Sequence, residues 1–142
     1  MRKQLTPAVL ILGLVTLLVA PQAWADEAAK KKAIAAAETW LALIDKGEIA
    51  RSWETSAVLF RGAVTQEQWK QTMKGTRGPL GKLISRELLL AKYETQLPGA
   101  PDGEYVIVQF KSVFERKSSA VETVTPMKDP DGKWRVSGYY LK

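Results

Sequence analysis

The 142-residue chain contains neither cysteine nor histidine. The missing histidine excludes a Ser-His-Asp triad, and the missing cysteine excludes a thiol nucleophile. Together the two absences exclude an ordinary structural zinc site. No disulfide can form, so a fold of this size has to stand on its buried surface alone. A carboxylate-only site could still hold a hard cation such as calcium. The densest acidic spot, Asp129-Pro130-Asp131-Gly132, has the Pro and Gly of a hairpin turn, so it is expected to serve the backbone. No metal and no cofactor are expected.

A concentrated basic stripe is lacking as well. Lysine and arginine number 21 against 15 acidic residues, but they are scattered among the acids. Nucleic-acid binding would need a basic face with motif or aromatic support, and none is expected. The one run, Lys30, Lys31 and Lys32, is expected on a solvated helix face. Its sharper alternative is a weak attraction to an anionic membrane surface or cell-wall polymer.

The chain does have an uneven start. Arg2 and Lys3 precede an uncharged apolar run over residues 5–20, and Ala23 and Ala25 follow in an Ala-x-Ala arrangement. That is the plan of a cleavable secretory signal peptide. The run falls short of the roughly 20 apolar residues of a membrane span, and no cysteine follows it for lipid attachment. The expected division is a signal peptide over residues 1–25 and a single domain over 26–142. The mature chain is expected in the bacterial periplasm or secreted, without a stable membrane span. Losing Arg2 and Lys3 leaves 19 basic against 15 acidic residues, a mild excess of four.

Periodicity then orders the mature chain. Ile34, Ala37, Leu41 and Ile44, with Trp40 beside them, recur at helical spacing, which predicts a helix over 26–46. A second helix is predicted over 48–59 from Ile49, Trp53 and Ala57. Thr65 and Gln68 form a capping-box pair that opens a third helix, with Trp69 and Met73 on one face and Gly75 at its end. A Gly-rich turn covers 74–81. From Lys82 the period falls to two, which predicts strands over 83–95, 104–115, 119–127 and 133–141. On the last, Trp134, Val136 and Tyr140 are expected on one face, Tyr139 and Leu141 on the other, with Gly138 marking a bulge or bend. Glu87 and Glu94, seven apart on one strand, are expected on opposite faces. Three helices followed by hairpin-linked strands indicate an α+β domain with a four-stranded antiparallel sheet covered on one face.

The chain also resembles a family. The residues that carry the resemblance are Trp40-Leu41 with Asp45-Lys46-Gly47, Ser52-Trp53, Trp69, and Arg77-Gly78-Pro79-Leu80-Gly81 with Arg86. They continue with Leu97-Pro98-Gly99-Ala100-Pro101, Gly103-Glu104-Tyr105, and Asp131-Gly132-Lys133-Trp134-Arg135-Val136-Ser137-Gly138-Tyr139-Tyr140. This pattern is similar to the bacterial domain of unknown function 4019. The resemblance implies a curved, cone-like architecture similar to that of nuclear transport factor 2, and it implies no activity.

Six residues are candidates for ligand binding. Trp53 and Trp69 could line the mouth of a pocket between helices and sheet. Arg77 and Arg86, on either side of the Gly-Pro-Leu-Gly turn, have the forked donors that suit a carboxylate or phosphate. Tyr105 and Tyr139 could donate to an oxyanion. For each, packing or loop support is the competing role. No catalytic residue is assigned. The first expectation is a non-catalytic exported domain that binds a small apolar or anionic ligand. The second is a protein-interaction or envelope-accessory module acting through its sheet. The third is an isomerase-like enzyme, which would need a buried carboxylate or tyrosine facing a cavity.

Overall fold

The structure, a computed structural model, describes residues 21–142. The basic and apolar parts of the expected signal peptide lie outside the described residues. Helix α1 spans Pro21–Asp45. Its buried residues Ala29, Ala33, Ala37, Trp40, Leu41 and Ile44 form the apolar stripe, widened toward the N-terminus by alanines. Lys31 and Lys32 are exposed, and Lys30 pairs with Glu27 at 2.9 Å, so the lysine run is a solvated face. Gly47, at φ 77°, turns the chain out of the helix, a backbone angle at which glycine carries no steric penalty.

Where one helix was predicted over 48–59, there are two: α2 (Ile49–Glu54) and α3 (Val58–Ala63). The break has a side-chain cause. The Ser56 and Thr55 hydroxyls donate to the carbonyls of Ser52 and Arg51, the kind of local bonding that competes with a continuing helix. Ala57 is extended (ψ 152°) and donates its N–H to the Val136 carbonyl at 2.8 Å. Helix α4 (Gln66–Thr76) opens with the expected capping box, Thr65 accepting from the Gln68 amide and the Gln68 side chain accepting from the Thr65 amide. It runs past Gly75. A 3₁₀ turn over Gly78–Leu80 leads into the sheet.

Strands β1 (Leu83–Glu94), β2 (Tyr105–Phe114), β3 (Lys117–Lys128) and β4 (Trp134–Leu141) form an open antiparallel sheet in the order β1-β2-β3-β4. Val106, Val108, Phe110, Val124 and Val136 face the helices and meet Trp40, Leu41, Phe60, Trp69 and Met73 in one core. The pairing shifts register at four places, and two of these decide the faces of residues singled out in the sequence. Between Thr125 and Pro126 the β3–β4 register shifts, so Val124 pairs with Tyr139 while Pro126 pairs with Val136. Tyr139 and Leu141 therefore lie on the helix side together with Trp134 and Val136, and Tyr140 turns outward, 63% exposed. This corrects the alternation expected for the last strand, and the bulge falls one residue before Gly138. Likewise, the shift between Leu88 and Leu90 returns Glu87 and Glu94 to the same, outer face, opposite Lys111 and Tyr105. They are still roughly 20 Å apart at the rise of a strand and form no pair.

Candidate functional site

The inner face of the sheet carries one acidic residue, Glu122 on β3, with no solvent exposure. The register explains who reaches it. Ser112 of β2 pairs with Ala120, and Tyr139 of β4 pairs with Val124. Each is thus a diagonal neighbour of Glu122, within reach of a polar side chain. The Ser112 hydroxyl donates to Glu122 Oε1 at 2.6 Å and the Tyr139 hydroxyl to Oε2 at 2.5 Å. Arg86 of β1 donates from Nε to Oε1 at 2.8 Å. Its Nη1 and Nη2 bind Asp45 at 2.6 and 3.0 Å. Arg77, just past α4, donates from Nη2 to the same Asp45 at 2.9 Å and brings Nη1 to 3.8 Å from Glu122. Its guanidinium lies 4.5 Å over the Phe114 ring.

Two carboxylates and two guanidiniums, with the Ser112 and Tyr139 hydroxyls, thus join α1, the end of α4 and all four strands. Asp45 would be unfavourable alone at the negative end of α1. Burial pushes its carboxyl upward, but hydrogen bonds and charge from Arg86 and then Arg77 outweigh this and hold it below the usual range. Burial, the Glu122 charge and the Glu122 hydrogen bond push the Tyr139 hydroxyl well above the usual phenol range, against an opposing effect of Arg77. Arg86 is held above its usual value by Asp45 and Glu122 despite burial.

The six candidate residues fall into two groups. Arg77, Arg86 and Tyr139 converge on this cluster, and Trp69 adjoins it, its ring 6.3 Å from that of Tyr139. Trp53 and Tyr105 do not join it. The Trp53 indole donates to the Val64 carbonyl and the Trp69 indole to Ser52 Oγ. Tyr105 is buried, with its hydroxyl on the Pro101 carbonyl. The tryptophans act as core and as ties between helices, a common arrangement for buried indoles. Sequence reasoning missed Glu122, Asp45 and Ser112. Glu122 had a signal: it stands midway between Ala120 and Val124 in a period-two strand, a core-facing position for a charged residue.

Neither Glu122 nor Tyr139 lines the groove that flanks the cluster. A groove of about 520 Å³ lies on the α4 side of the cluster, and Asp45 and Arg77 form part of its wall. Lys70, Lys74, Lys82 and Arg116 add to the wall, with Glu115 as the other carboxylate. Five cations face two anions. Gly81 also lines the groove, at φ 74°, where a Cβ would lie 3.0 Å from Glu115. The acidic turn after β3 is a hairpin turn, with Asp129 and Asp131 bound to Arg135. Among the described residues no group of three or more metal-ligating side chains occurs.

The fold and cluster define an α+β domain whose helical layer is tied to an open antiparallel sheet by a buried ionic network. The chain belongs to the family described as protein of unknown function (DUF4019), whose profile matches residues 36–139. No curated protein and no solved structure matches the chain. Among the described residues, no helix is long and apolar enough to cross a membrane.

Proposed function

We propose that the chain is an exported, non-catalytic binding domain that takes a small anion in the groove between α4 and the start of the sheet. The observation that carries this is the groove's charge: Lys70, Lys74, Arg77, Lys82 and Arg116 against Asp45 and Glu115. A concave surface with an excess of one sign raises the local concentration of the opposite ion. The buried cluster is balanced, so the excess comes from the groove's own lysines and Arg116.

Export rests on the basic, apolar and Ala-x-Ala pattern of the first 25 residues. Among the described residues the first buried one is Ala29, and Pro21 to Ala25 are exposed. Cleavage after Ala25 would therefore remove no buried residue among those described. A helical layer over one face of a bulged sheet is compatible with the cone-like architecture of nuclear transport factor 2. In this chain the inner space is occupied by Trp40, Trp69, Phe60 and Tyr139, packed ring to ring, so the ligand site is placed at the side rather than inside. The same packing disfavours an isomerase-like role: Glu122 and Tyr139 bond to each other, and Ser112 and Arg86 also donate to the carboxylate. The sheet-surface reading loses the two-sided last strand that motivated it and keeps Tyr140.

The test is titration of the purified protein with inorganic phosphate and with succinate at low salt, followed by amide chemical shifts. Saturable shifts clustered at residues 70–82 and 115–116 are expected, weakened by Lys74→Ala and Arg116→Ala. Shifts spread over every exposed lysine, or none, would overturn the site. Mass analysis of envelope-fractionated material, expected to begin at Asp26, tests export separately.

A further inference from the structure

The two edges of the sheet are treated differently. At the β4 edge, the Val136 carbonyl accepts the Ala57 amide at 2.8 Å. At the β1 edge, among the described residues, no backbone bond reaches the strand from any element but β2. That open edge is also apolar: Ile84, Leu88, Leu89 and Leu90 are 64%, 43%, 50% and 44% exposed. Natural sheets usually blunt such an edge, because its free amides and carbonyls template pairing with another chain.

We infer that the β1 edge is a self-association surface, pairing antiparallel with β1 of a second copy about a two-fold axis between Leu89 and Leu90. Charge selects this partner and register. Without the bulge, Glu87 and Lys92, five residues apart, would stand on opposite faces. The extra residue at Leu89 puts both on the outer face, opposite Lys111 and Ile107 of β2. In the two-fold register Glu87 meets the second copy's Lys92, and Lys92 meets the second copy's Glu87. The inner-face residues Leu88 and Ala91 meet in the same way, and Leu89 meets Leu90 at the centre. A two-fold interface must be complementary to itself, and opposite charges across an antiparallel pair stabilise it while like charges destabilise it. The bulge is thus the feature that makes the strand match its own copy. Lys92 already lies 2.9 Å from Glu94 of its own strand, but its side chain is 70% exposed and that of Glu94 half-buried, and such surface pairs contribute little.

The experiment is sedimentation and light scattering of the purified full chain, of Glu87→Lys, of Lys92→Glu, and of an equimolar mixture of the two variants. The unsubstituted chain is expected to dimerise. Each variant alone faces two like-charge contacts and should weaken the dimer roughly tenfold. Mixed, the variants restore both opposite-charge contacts, and the dimer should return. Restoration by mixing also shows that both variants are folded. A monomeric unsubstituted chain, a dimer indifferent to both substitutions, or a mixture no more associated than its parts would each overturn the inference.

Discussion

Two ionic clusters in this domain each set an arginine between two carboxylates and differ in where they sit. In one, Arg86 bridges Glu122 and Asp45, with side-chain exposures of 13%, 0% and 20%. In the other, Arg135 bridges Asp129 and Asp131 at the β3–β4 turn, with side-chain exposures of 25%, 2% and 48%, so that only its Asp131 arm is exposed. The turn cluster is local: Arg135 is four residues from Asp131. The interior cluster is built from partners 36 and 41 residues apart. A buried pair costs more to desolvate and far more to break, whereas an exposed pair is screened and weak. The interior cluster therefore fixes how the helical layer sits on the sheet, and the turn cluster fastens a hairpin that Pro130 and Gly132 already favour.

The sharpest way to break the comparison is to remove Glu122. Glu122→Leu leaves Arg86, Ser112 and Tyr139 without their common acceptor. Denaturant unfolding should show a loss of about 3–5 kcal/mol, the usual cost of stranding a buried charge. Asp131→Ala, which removes only the exposed arm of the turn cluster, should cost much less than half of that when measured alongside. Equal losses would mean that burial is not what separates the two sites. A smaller loss is expected for Tyr139→Phe, which deletes one hydrogen bond to a buried carboxylate, about 1–3 kcal/mol. The sign of its pH dependence follows from the raised Tyr139 pKa. Tyr139 stays protonated in the folded chain at a pH where it ionises in the unfolded one, so its contribution is complete below about pH 10. It is lost as pH rises further. The variant's stability should thus fall less steeply than the parent's in strong alkali.

The contrast between local and distant partners also explains what was legible in the sequence. Four strands, the capping box at Thr65 and the hairpin turn at Asp129 follow from neighbours in the chain. The break before α3 did not, because it depends on Ser52, Ser56 and a β4 carbonyl acting together. The two bulges did not either, since an extra residue is defined only against a partner strand. They reversed the expected faces of Tyr139 and Tyr140 and of Glu87 and Glu94. For the cluster, Arg77, Arg86 and Tyr139 were chosen for their chemistry, while what joins them, Glu122 with Asp45, depends on long-range register. A charged residue in the apolar phase of a strand was the one local clue. Trp53 and Trp69 show the converse: indoles suited to a pocket wall have their N–H groups bound inside the protein.

Acid and salt give the finest division between the clusters. Asp131, like Asp45, is held below its usual pKa, chiefly by the Arg135 hydrogen bond. Both depressed carboxylates stabilise the fold above about pH 4 and lose that contribution as pH falls through their folded values. Asp45→Asn should therefore flatten the acid limb of stability and cost on the order of 1 kcal/mol at neutral pH, reduced by its residual exposure. Asp131→Asn should flatten the same limb only at low salt. At roughly 1 M salt the screening length shrinks to about 3 Å, and the exposed turn pair should no longer be distinguishable from the parent. The Asp45 effect should persist in larger part, because its principal partner Arg86 is only 13% exposed. The comparison fails if salt erases both effects together, for then the interior cluster would be as open to solvent as the turn.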